Sequence, residues 1–359
     1  MSGHADREAV SGVAGDRRRA GRREFLASTA KIAGCAAAAS MTEALPAWAA
    51  EREPARALSR GASGIRVRNL VEELHRGLDE RQKSLVFLPF EHRRRRLVGN
   101  NWSIVKPTIG EVYSPAQQDV MKAILKEIAS EQGYRKFMNV MQTDGGGFAN
   151  YHAALFGNPE AGKFEWVLTG RHLTLRADAN SVENAAFGGP ILYGHAPMTF
   201  NESKDHPGNA FWYQAVRANQ VFDMLDGKQR RQALIAKAPA EAAVGLQGPD
   251  ALLPGLRVSE MSHDQKAEAG KVLDDLLLPF APGEAASVRA CLKAGGGIDS
   301  LRMSFYQDED IGNDRVWDVW RLEGPAFIWH FRGSPHVHTW VNIARAAPGP
   351  FLKTDPDAL

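Results

Sequence analysis

The chain has 359 residues, of which 44% are hydrophobic and 24% are charged, and its formal net charge at pH 7 is +2. This composition is typical of one large or two smaller globular domains and argues against intrinsic disorder. After residue 49 the chain holds 37 basic and 37 acidic residues, which argues against a nucleic-acid-binding protein, and no apolar run approaches the ~18 residues of a membrane span.

The first 49 residues resemble an export signal. Arg22 and Arg23 precede Phe25-Leu26, in the pattern of the twin-arginine motif Arg-Arg-x-Phe-Leu. A weakly apolar stretch follows over 25–41, and Ala47-Trp48-Ala49 provides small residues for cleavage. We therefore expect the twin-arginine export machinery as a partner and a periplasmic or secreted location. The alternative is a short amphipathic helix of the mature fold.

The two cysteines bear on how the mature chain is processed. Ile32-Ala33-Gly34-Cys35 resembles a lipoprotein processing box, so lipid anchoring at Cys35 is an alternative to cleavage after Ala49. If cleavage follows Ala49, Cys291 stands alone and the mature chain has no internal disulfide. We expect residues 50–64 to form a flexible lead-in to the folded domain.

Capping boxes predict the starts of four helices in the mature chain, because a capping side chain stands three residues before a glutamine. The two boxes of each half are 35 and 36 residues apart, and the halves are offset by 147 and 148 residues. An apolar face over 120–128 predicts a helix ended by Gly133, and a second face over 272–277 predicts one ended near Pro279. The boxes are Asp79-x-x-Gln82, Ser114-x-x-Gln117, Asp226-x-x-Gln229 and Ser262-x-x-Gln265.

Strand-like segments follow the helices in both halves and are joined by short turns. They cover about 150–156, 164–169, 172–177, 300–306, 316–322 and 326–332. Helices followed by antiparallel hairpins predict an α+β fold. We predict a single domain over 65–345, made of two internally duplicated helix-plus-antiparallel-hairpin repeats (about 65–200 and 210–345) packed about a pseudo-two-fold axis. Residues 346–359 would form a tail.

Several segments of the chain, taken together and in order, are similar to a known family. They are Phe87-Leu88-Pro89-Phe90, Ser130-Glu131-Gln132-Gly133-Tyr134, Leu155-Phe156-Gly157, Gly170-Arg171-His172-Leu173, and Gly324-Pro325-Ala326-Phe327 ending in Pro335-His336-Val337-His338. This set resembles the domain-of-unknown-function 3500 family over about residues 65–345. The resemblance implies a family found partly among exported bacterial proteins, and it implies no activity.

The sharpest candidate for chemistry is the pair His336 and His338. On an extended chain these side chains point the same way, about 6.5–7 Å apart at Cα, so both imidazoles could bind one ion. We predict His172 as the third ligand, because we place it on the corresponding hairpin of the first repeat. His195 and His330 are second-line candidates, as an alternative ligand and a supporting residue respectively. The alternative is that these histidines only form hydrogen bonds to the backbone.

A three-histidine site with an open position suits zinc, copper or iron. With zinc, bound water could attack a carbonyl or phosphoryl centre, with Glu165, Glu183 or Glu323 as the base. The sequence therefore predicts an exported, soluble metalloprotein, either a hydrolase or an oxidoreductase acting on a small molecule. A non-catalytic periplasmic ligand- or metal-binding protein is the alternative, and a structural or interaction module is a third. The aromatic residues 211–213, 317, 320 and 329 are expected in the core.

Overall fold

The fold is described here from a computed structural model, which covers residues 53–182, 184–196, 210–310, 316–333 and 335–347. Several predictions lie outside these residues: the export signal with Arg22 and Arg23, the anchoring site Cys35, the candidate base Glu183 and most of the tail.

The described residues form nine α-helices. They are α1 Glu53–Arg76, α2 Glu80–Val86, α3 Ile109–Val112, α4 Pro115–Ile128, α5 Glu131–Gly145, α6 Tyr213–Met224, α7 Gly227–Ala233, α8 His263–Leu277 and α9 Pro282–Ala294. Helix α1 includes most of the segment 50–64 that the sequence predicts to be a flexible lead-in. In the described part of the chain, no helix combines the length and apolarity needed to cross a bilayer.

The described strands form one eleven-stranded sheet. They are β1 Phe87–Leu88, β2 His152–Asn158, β3 Lys163–Gly170, β4 Leu173–Ala177, β5 Ile191–His195, β6 Leu234–Ile235, β7 Leu256–Arg257, β8 Arg302–Tyr306, β9 Val319–Gly324, β10 Phe327–Arg332 and β11 Val337–Ile343. The strand order is β1-β2-β3-β4-β5-β11-β10-β9-β8-β6, with β7 paired to β8. The pairs β1–β2 and β6–β8 are parallel, and the others are antiparallel. The predicted α+β class is therefore confirmed.

All four predicted capping boxes are present, and their glutamines also join helices. Gln82 donates to Gln117 at 2.8 Å, and Gln265 donates to Gln229 at 2.9 Å. Each glutamine amide also donates to a backbone carbonyl of a neighbouring segment. These side chains thus form hydrogen bonds with free backbone groups at the helix ends, and they fix the relative positions of α2 with α4 and of α7 with α8.

The predicted end of the 120–128 helix at Gly133 is wrong. Helix α4 ends at Ile128, and Gly133 lies in the first turn of α5, which Ser130 caps. A Cβ at Gly133 would lie 1.8 Å from the Pro279 carbonyl oxygen, so the glycine is there for a close approach rather than a helix end. The predicted end of the second helix near Pro279 is confirmed.

Both faces of the sheet are covered, and alternate residues of a strand therefore enter different cores. Ile191 and Val341, paired in the two central strands, belong to the larger core with the helices. Leu192 and Trp340, the neighbouring pair, belong to a smaller core under the segment around Val244. Phe211, Trp212, Trp317, Trp320 and Trp329 are all buried, as predicted, and Tyr213 packs against this core.

Candidate metal centre

Three histidines lie together at one end of the central strands. The ring centroids of His172 and His336 are 4.8 Å apart, and those of His172 and His338 are 5.1 Å apart. The Nε2 atoms of His336 and His338 are 2.9 Å apart, and one candidate ligand nitrogen from each residue lies within 4.8 Å of the others. A tetrahedral ion with Zn–N bonds of 2.0–2.1 Å needs nitrogens about 3.3 Å apart. Small side-chain rotations would therefore produce a bonding geometry.

The fold brings His172 to this position through a tight turn. His172 stands between β3 and β4 in the left-handed region, with φ at 56°. Its amide donates to the Asn100 carbonyl at 2.6 Å, and its carbonyl accepts from the Gly194 amide at 3.0 Å. A positive φ is costly for a residue with a side chain, so these two hydrogen bonds hold an otherwise unfavourable turn.

Gly194 is the residue that lets the histidines meet. It lies on β5, between the turn that holds His172 and the paired residue His338 on β11. A Cβ at this position would lie 2.2 Å from the Val337 carbonyl oxygen and 3.2 Å from His338 Cδ2. The imidazoles therefore approach each other over a strand that has no side chain at this point. The sequence predicted a meeting of corresponding hairpins, whereas His172 lies in the β3–β4 turn and the pair lies at the start of β11.

Asp144 holds the ring of His172. His172 Nδ1 donates to Asp144 Oδ2 at 2.7 Å, and the Ala196 amide donates to the same oxygen at 3.0 Å. Burial opposes ionisation of Asp144, but the hydrogen bonds from His172 and from the Ala196 amide, together with the nearby His195, outweigh it and hold the pKa of the carboxyl well below its usual range. Asp144 is thus a carboxylate that directs His172 Nε2 toward the other two histidines.

Glu241 has the same relation to His338. Its Oε2 lies 2.9 Å from His338 Nδ1, 3.1 Å from Arg332 Nε and 3.3 Å from Trp340 Nε1. Burial would raise the pKa of Glu241, but the hydrogen bond with His338 and the charges of His338 and Arg332 lower it on balance. Two of the three imidazoles are therefore oriented by carboxylates, an arrangement that histidine ligands of metal ions commonly have.

The proton arrangement at His338 depends on whether Nε2 binds a metal ion. Arg332 Nη2 also lies 2.7 Å from His338 Nδ1, so it can donate to this atom only when the proton is on Nε2. That tautomer donates from Nε2 to His336 Nε2. When the proton is instead on Nδ1, His338 donates to Glu241 and its Nε2 lone pair is available. The site therefore offers a metal-binding tautomer without any change of charge.

His336 is the least constrained of the three. It is half-buried, and no described carboxylate holds its ring. Burial lowers the pKa of His336 to about 4, and the charges of His338, Arg332, His172 and Arg171 act in the same direction. Burial also lowers the pKa of His338, against the hydrogen bond with Glu241. Both imidazoles are therefore neutral at pH 7, which is the form that binds metal ions.

The two second-line histidines lie outside the three-histidine cluster. His195 Nδ1 lies 3.2 Å from Asp144 Oδ1, at angles unsuited to a hydrogen bond, so it neighbours the cluster through this carboxylate. His330 is buried on β10 and accepts from Arg321 Nε at 3.2 Å. Burial and the charge of Arg321 hold the pKa of His330 well below its usual range.

Two of the three predicted bases, Glu165 and Glu323, are held by arginines. Glu165 accepts from Arg95 at 2.7 Å and from Arg176 at 2.6 Å, and Glu323 is paired with Arg321 at 3.4 Å. These ion pairs are buried, and no contact joins either glutamate to the three histidines among the described residues. The structure places Asp144 and Glu241 beside the histidines instead.

Gly194, Asp144, Glu241 and Arg332 were not predicted as parts of the site. Asp144 carries a local signal, because it lies in the last turn of α5, where the helix dipole disfavours a negative charge. An acid at a helix C-terminus indicates a role outside helix stability. Glu241 lies in a connection without regular structure, 97 residues before His338 in the chain, and nothing in its neighbourhood predicts the contact.

A family model described as a protein of unknown function, DUF3500, matches residues 60–345, and the chain belongs to this family. Searches of curated proteins and of solved structures gave no match.

Proposed function

We propose that this member of the DUF3500 family is a metalloprotein in which His172, His336 and His338 bind one divalent transition-metal ion. The observation that carries the proposal is the convergence of three imidazoles whose nitrogens lie within 4.8 Å of one another. Carboxylates orient two of these rings, so their Nε2 atoms face a common point. Three neutral imidazoles suit zinc, copper or iron, and they do not suit calcium or magnesium.

We further propose that the centre is catalytic and acts on a small molecule. Three protein ligands leave a coordination position open, and the half-buried His336 puts that position at the rim of the site. Zinc would lower the pKa of a bound water toward neutrality, which supports hydrolysis, whereas copper or iron would support oxygen or electron chemistry. Asp144 and Glu241 would hold the ligands in place, and Arg332 would hold Glu241.

A non-catalytic ligand- or metal-binding protein is the second candidate. One observation favours it: a cavity of about 500 Å³ among the described residues is lined by Phe90, Lys163 and Ser181 rather than by the three histidines. A carrier needs a reachable ion but no substrate pocket. Binding of azide at the open position together with turnover of any substrate would favour the enzyme, and metal release without turnover would favour the carrier.

We also propose export by the twin-arginine route, which Arg22 and Arg23 support, with lipid anchoring at Cys35 as the alternative. Export of a folded protein would allow the ion to be loaded before translocation. Changing Arg22 and Arg23 to lysine together should retain the full-length precursor in the cytoplasm. Appearance of the processed protein in the periplasmic fraction of this variant would contradict the proposal.

An internal duplication would explain the arrangement of the strands. Strands β2–β5 and β8–β11 run outward in the same order from the central pair β5–β11. Only one of the two repeats would then carry the histidine pair. Because Gln82 and Gln229 would occupy equivalent capping boxes of the two repeats, Gln82→Ala and Gln229→Ala should lower the free energy of unfolding by similar amounts.

Metal analysis tests the main proposal. The protein should be produced with its own signal, purified from the periplasm and analysed by mass spectrometry for metals. We expect about one equivalent of a single metal, lost in His338→Ala and retained in His263→Ala, which changes a side chain that is 90% exposed. Equal trace amounts of metal in all three proteins would refute the metal centre.

A further inference from the structure

The charges around the three histidines balance before a metal ion is added. Asp144 and Glu241 are negative, and Arg332 and Arg171 are positive, while the three imidazoles are neutral ligands. A divalent ion would leave this set of described groups with two uncompensated positive charges in a partly buried site. Such an excess favours an anion at the open coordination position, because a buried charge needs a nearby opposite charge.

Arg171 is the cation placed to receive such an anion. It directly precedes the ligand His172, and its side chain is exposed. Its backbone is fixed, because Tyr151 Oη donates to the Arg171 carbonyl at 2.8 Å and Asn101 bridges to the same residue. The guanidinium is thus carried on an anchored turn at the rim of the centre.

Arg171 differs from four other arginines in having no carboxylate partner among the described residues. Arg95 and Arg176 bind Glu165, Arg321 binds Glu323, and Arg332 binds Glu241. Those four arginines hold the fold together. Arg171 has its guanidinium donors available, and a guanidinium matches the two oxygens of a carboxylate or phosphate with a pair of parallel hydrogen bonds.

We propose that the centre binds a small molecule with an anionic oxygen group, a carboxylate or a phosphate ester, and that Arg171 binds this group next to the metal ion. The inference rests on the metal centre proposed above and gives its substrate class. Arg171 acts as a specificity-determining residue: one oxygen of the group or a neighbouring atom occupies the open position, and the guanidinium binds the remaining oxygen.

The test uses the full chain loaded with Co²⁺, whose visible absorption reports each change in coordination. Acetate, methyl phosphate and azide are titrated separately. Azide binds a metal through one atom and needs no guanidinium, so it measures the open position alone. In Arg171→Ala we expect the affinity for acetate or methyl phosphate to fall at least tenfold, with azide changed less than threefold. Arg171→Lys keeps the charge but not the paired donors, so its affinity for the oxyanion should lie between those of Arg171→Ala and the unchanged protein.

Arg345→Ala is the matched control. It removes the same charge from an exposed arginine beyond the far end of β11, seven residues after His338 in the chain. We expect all three ligands to bind it as they bind the unchanged protein. The probe whose affinity depends on Arg171 identifies the anionic group.

Three outcomes would each overturn the inference. The oxyanions could bind Arg171→Ala and the unchanged protein with equal affinity, or azide could lose as much affinity as both oxyanions. The third outcome is that neither oxyanion binds to the unchanged Co²⁺ protein. If Co²⁺ itself fails to bind, the metal centre proposed above is wrong, and this outcome is distinguishable from the other three.

Discussion

At the scale of single residues, the candidate centre depends on small features rather than on the histidines alone. Gly194 leaves room for two rings to meet over one strand, and His172 occupies a turn conformation that few side chains adopt. Asp144 and Glu241 then select which nitrogen of each ring faces the others. Changes at these supporting positions should affect metal binding while every proposed ligand is still present.

Gly194→Ala should weaken metal binding at least tenfold and lower the free energy of unfolding by about 1–3 kcal/mol, because the new methyl group would displace Val337 and His338. Isothermal titration with Zn²⁺ and urea unfolding measure the two effects. Gly245→Ala is the control, since nothing lies within 4 Å of its Cβ position. Unchanged zinc affinity in Gly194→Ala would show that the histidine rings do not bind one zinc ion together.

Asp144→Asn should reduce the affinity for zinc by about 10–100-fold, the usual effect of losing the carboxylate that orients a histidine ligand. Glu241→Gln should have a similar effect through His338. Competition with a chromophoric chelator gives both dissociation constants. Asp274→Asn, which changes an exposed acid on α8, should leave the affinity as it is. Full zinc affinity in both Asp144→Asn and Glu241→Gln would contradict the roles of these carboxylates.

At the scale of elements, sequence patterns predict what short-range chemistry determines. Capping boxes give four helix starts, and the strands β2, β3, β4, β8, β9 and β10 appear close to the strand-like segments that short turns join in the sequence. Strands β5 and β11 were not predicted, although they form the centre of the sheet. Both are buried along their whole length, as β4 and β9 are, so burial alone does not separate them from the predicted strands.

The contact between the start of α5 and the end of α8 shows why Gly133 was misinterpreted. The Ser130 amide donates to the Pro279 carbonyl at 2.9 Å, and Gly133 packs against the same carbonyl. This contact joins segments almost 150 residues apart, and a local pattern cannot reveal it. A glycine at the end of an apolar run predicts a helix end equally well.

Gly133→Ala should lower the free energy of unfolding by about 1–3 kcal/mol or more, because its Cβ would overlap the Pro279 backbone. Urea unfolding measures the change. In Gly270→Ala, where nothing lies within 4 Å of the Cβ position in α8, we expect a gain of about 0.5–1 kcal/mol. If Gly133→Ala and Gly270→Ala change the free energy of unfolding alike, the close approach of Gly133 to Pro279 is wrong.

Asp178, just after β4, should make stability depend on pH. Burial raises its pKa to about 6, against a hydrogen bond from the Val182 amide, and the charge of Glu165 adds to the rise. Because the folded-state pKa exceeds the ordinary 3.8, this contribution to stability is complete below pH 3.8 and is lost as the pH rises through 6. The loss is on the order of 3 kcal/mol.

Asp178→Asn cannot ionise and retains an oxygen that accepts from Val182. Its free energy of unfolding relative to the unchanged protein should therefore rise between pH 4 and pH 7, which urea unfolding at several pH values measures. A constant difference across this range would show that Asp178 titrates normally in the folded chain.

At the scale of the whole molecule, the sheet determines where chemistry can occur. The β5–β11 pair joins the two halves of the sheet, so the turn after β3 and the start of β11 reach the same end of the central strands. The sequence predicted His336 and His338 from residue type and spacing and His172 from its expected hairpin, and the structure brings the three together. The sequence could not predict the carboxylates of Asp144 and Glu241, since their contacts depend on how distant segments pack over both faces of the sheet.

The proposed centre can be observed by anomalous diffraction from crystals of the metal-loaded protein, collected at the absorption edge of the bound metal. We expect one strong peak about 2.0–2.2 Å from the Nε2 atoms of His172, His336 and His338, with density for a non-protein ligand at the remaining position. A peak bonded to other residues, or no peak beside these imidazoles in crystals that contain the metal, would contradict the proposed centre.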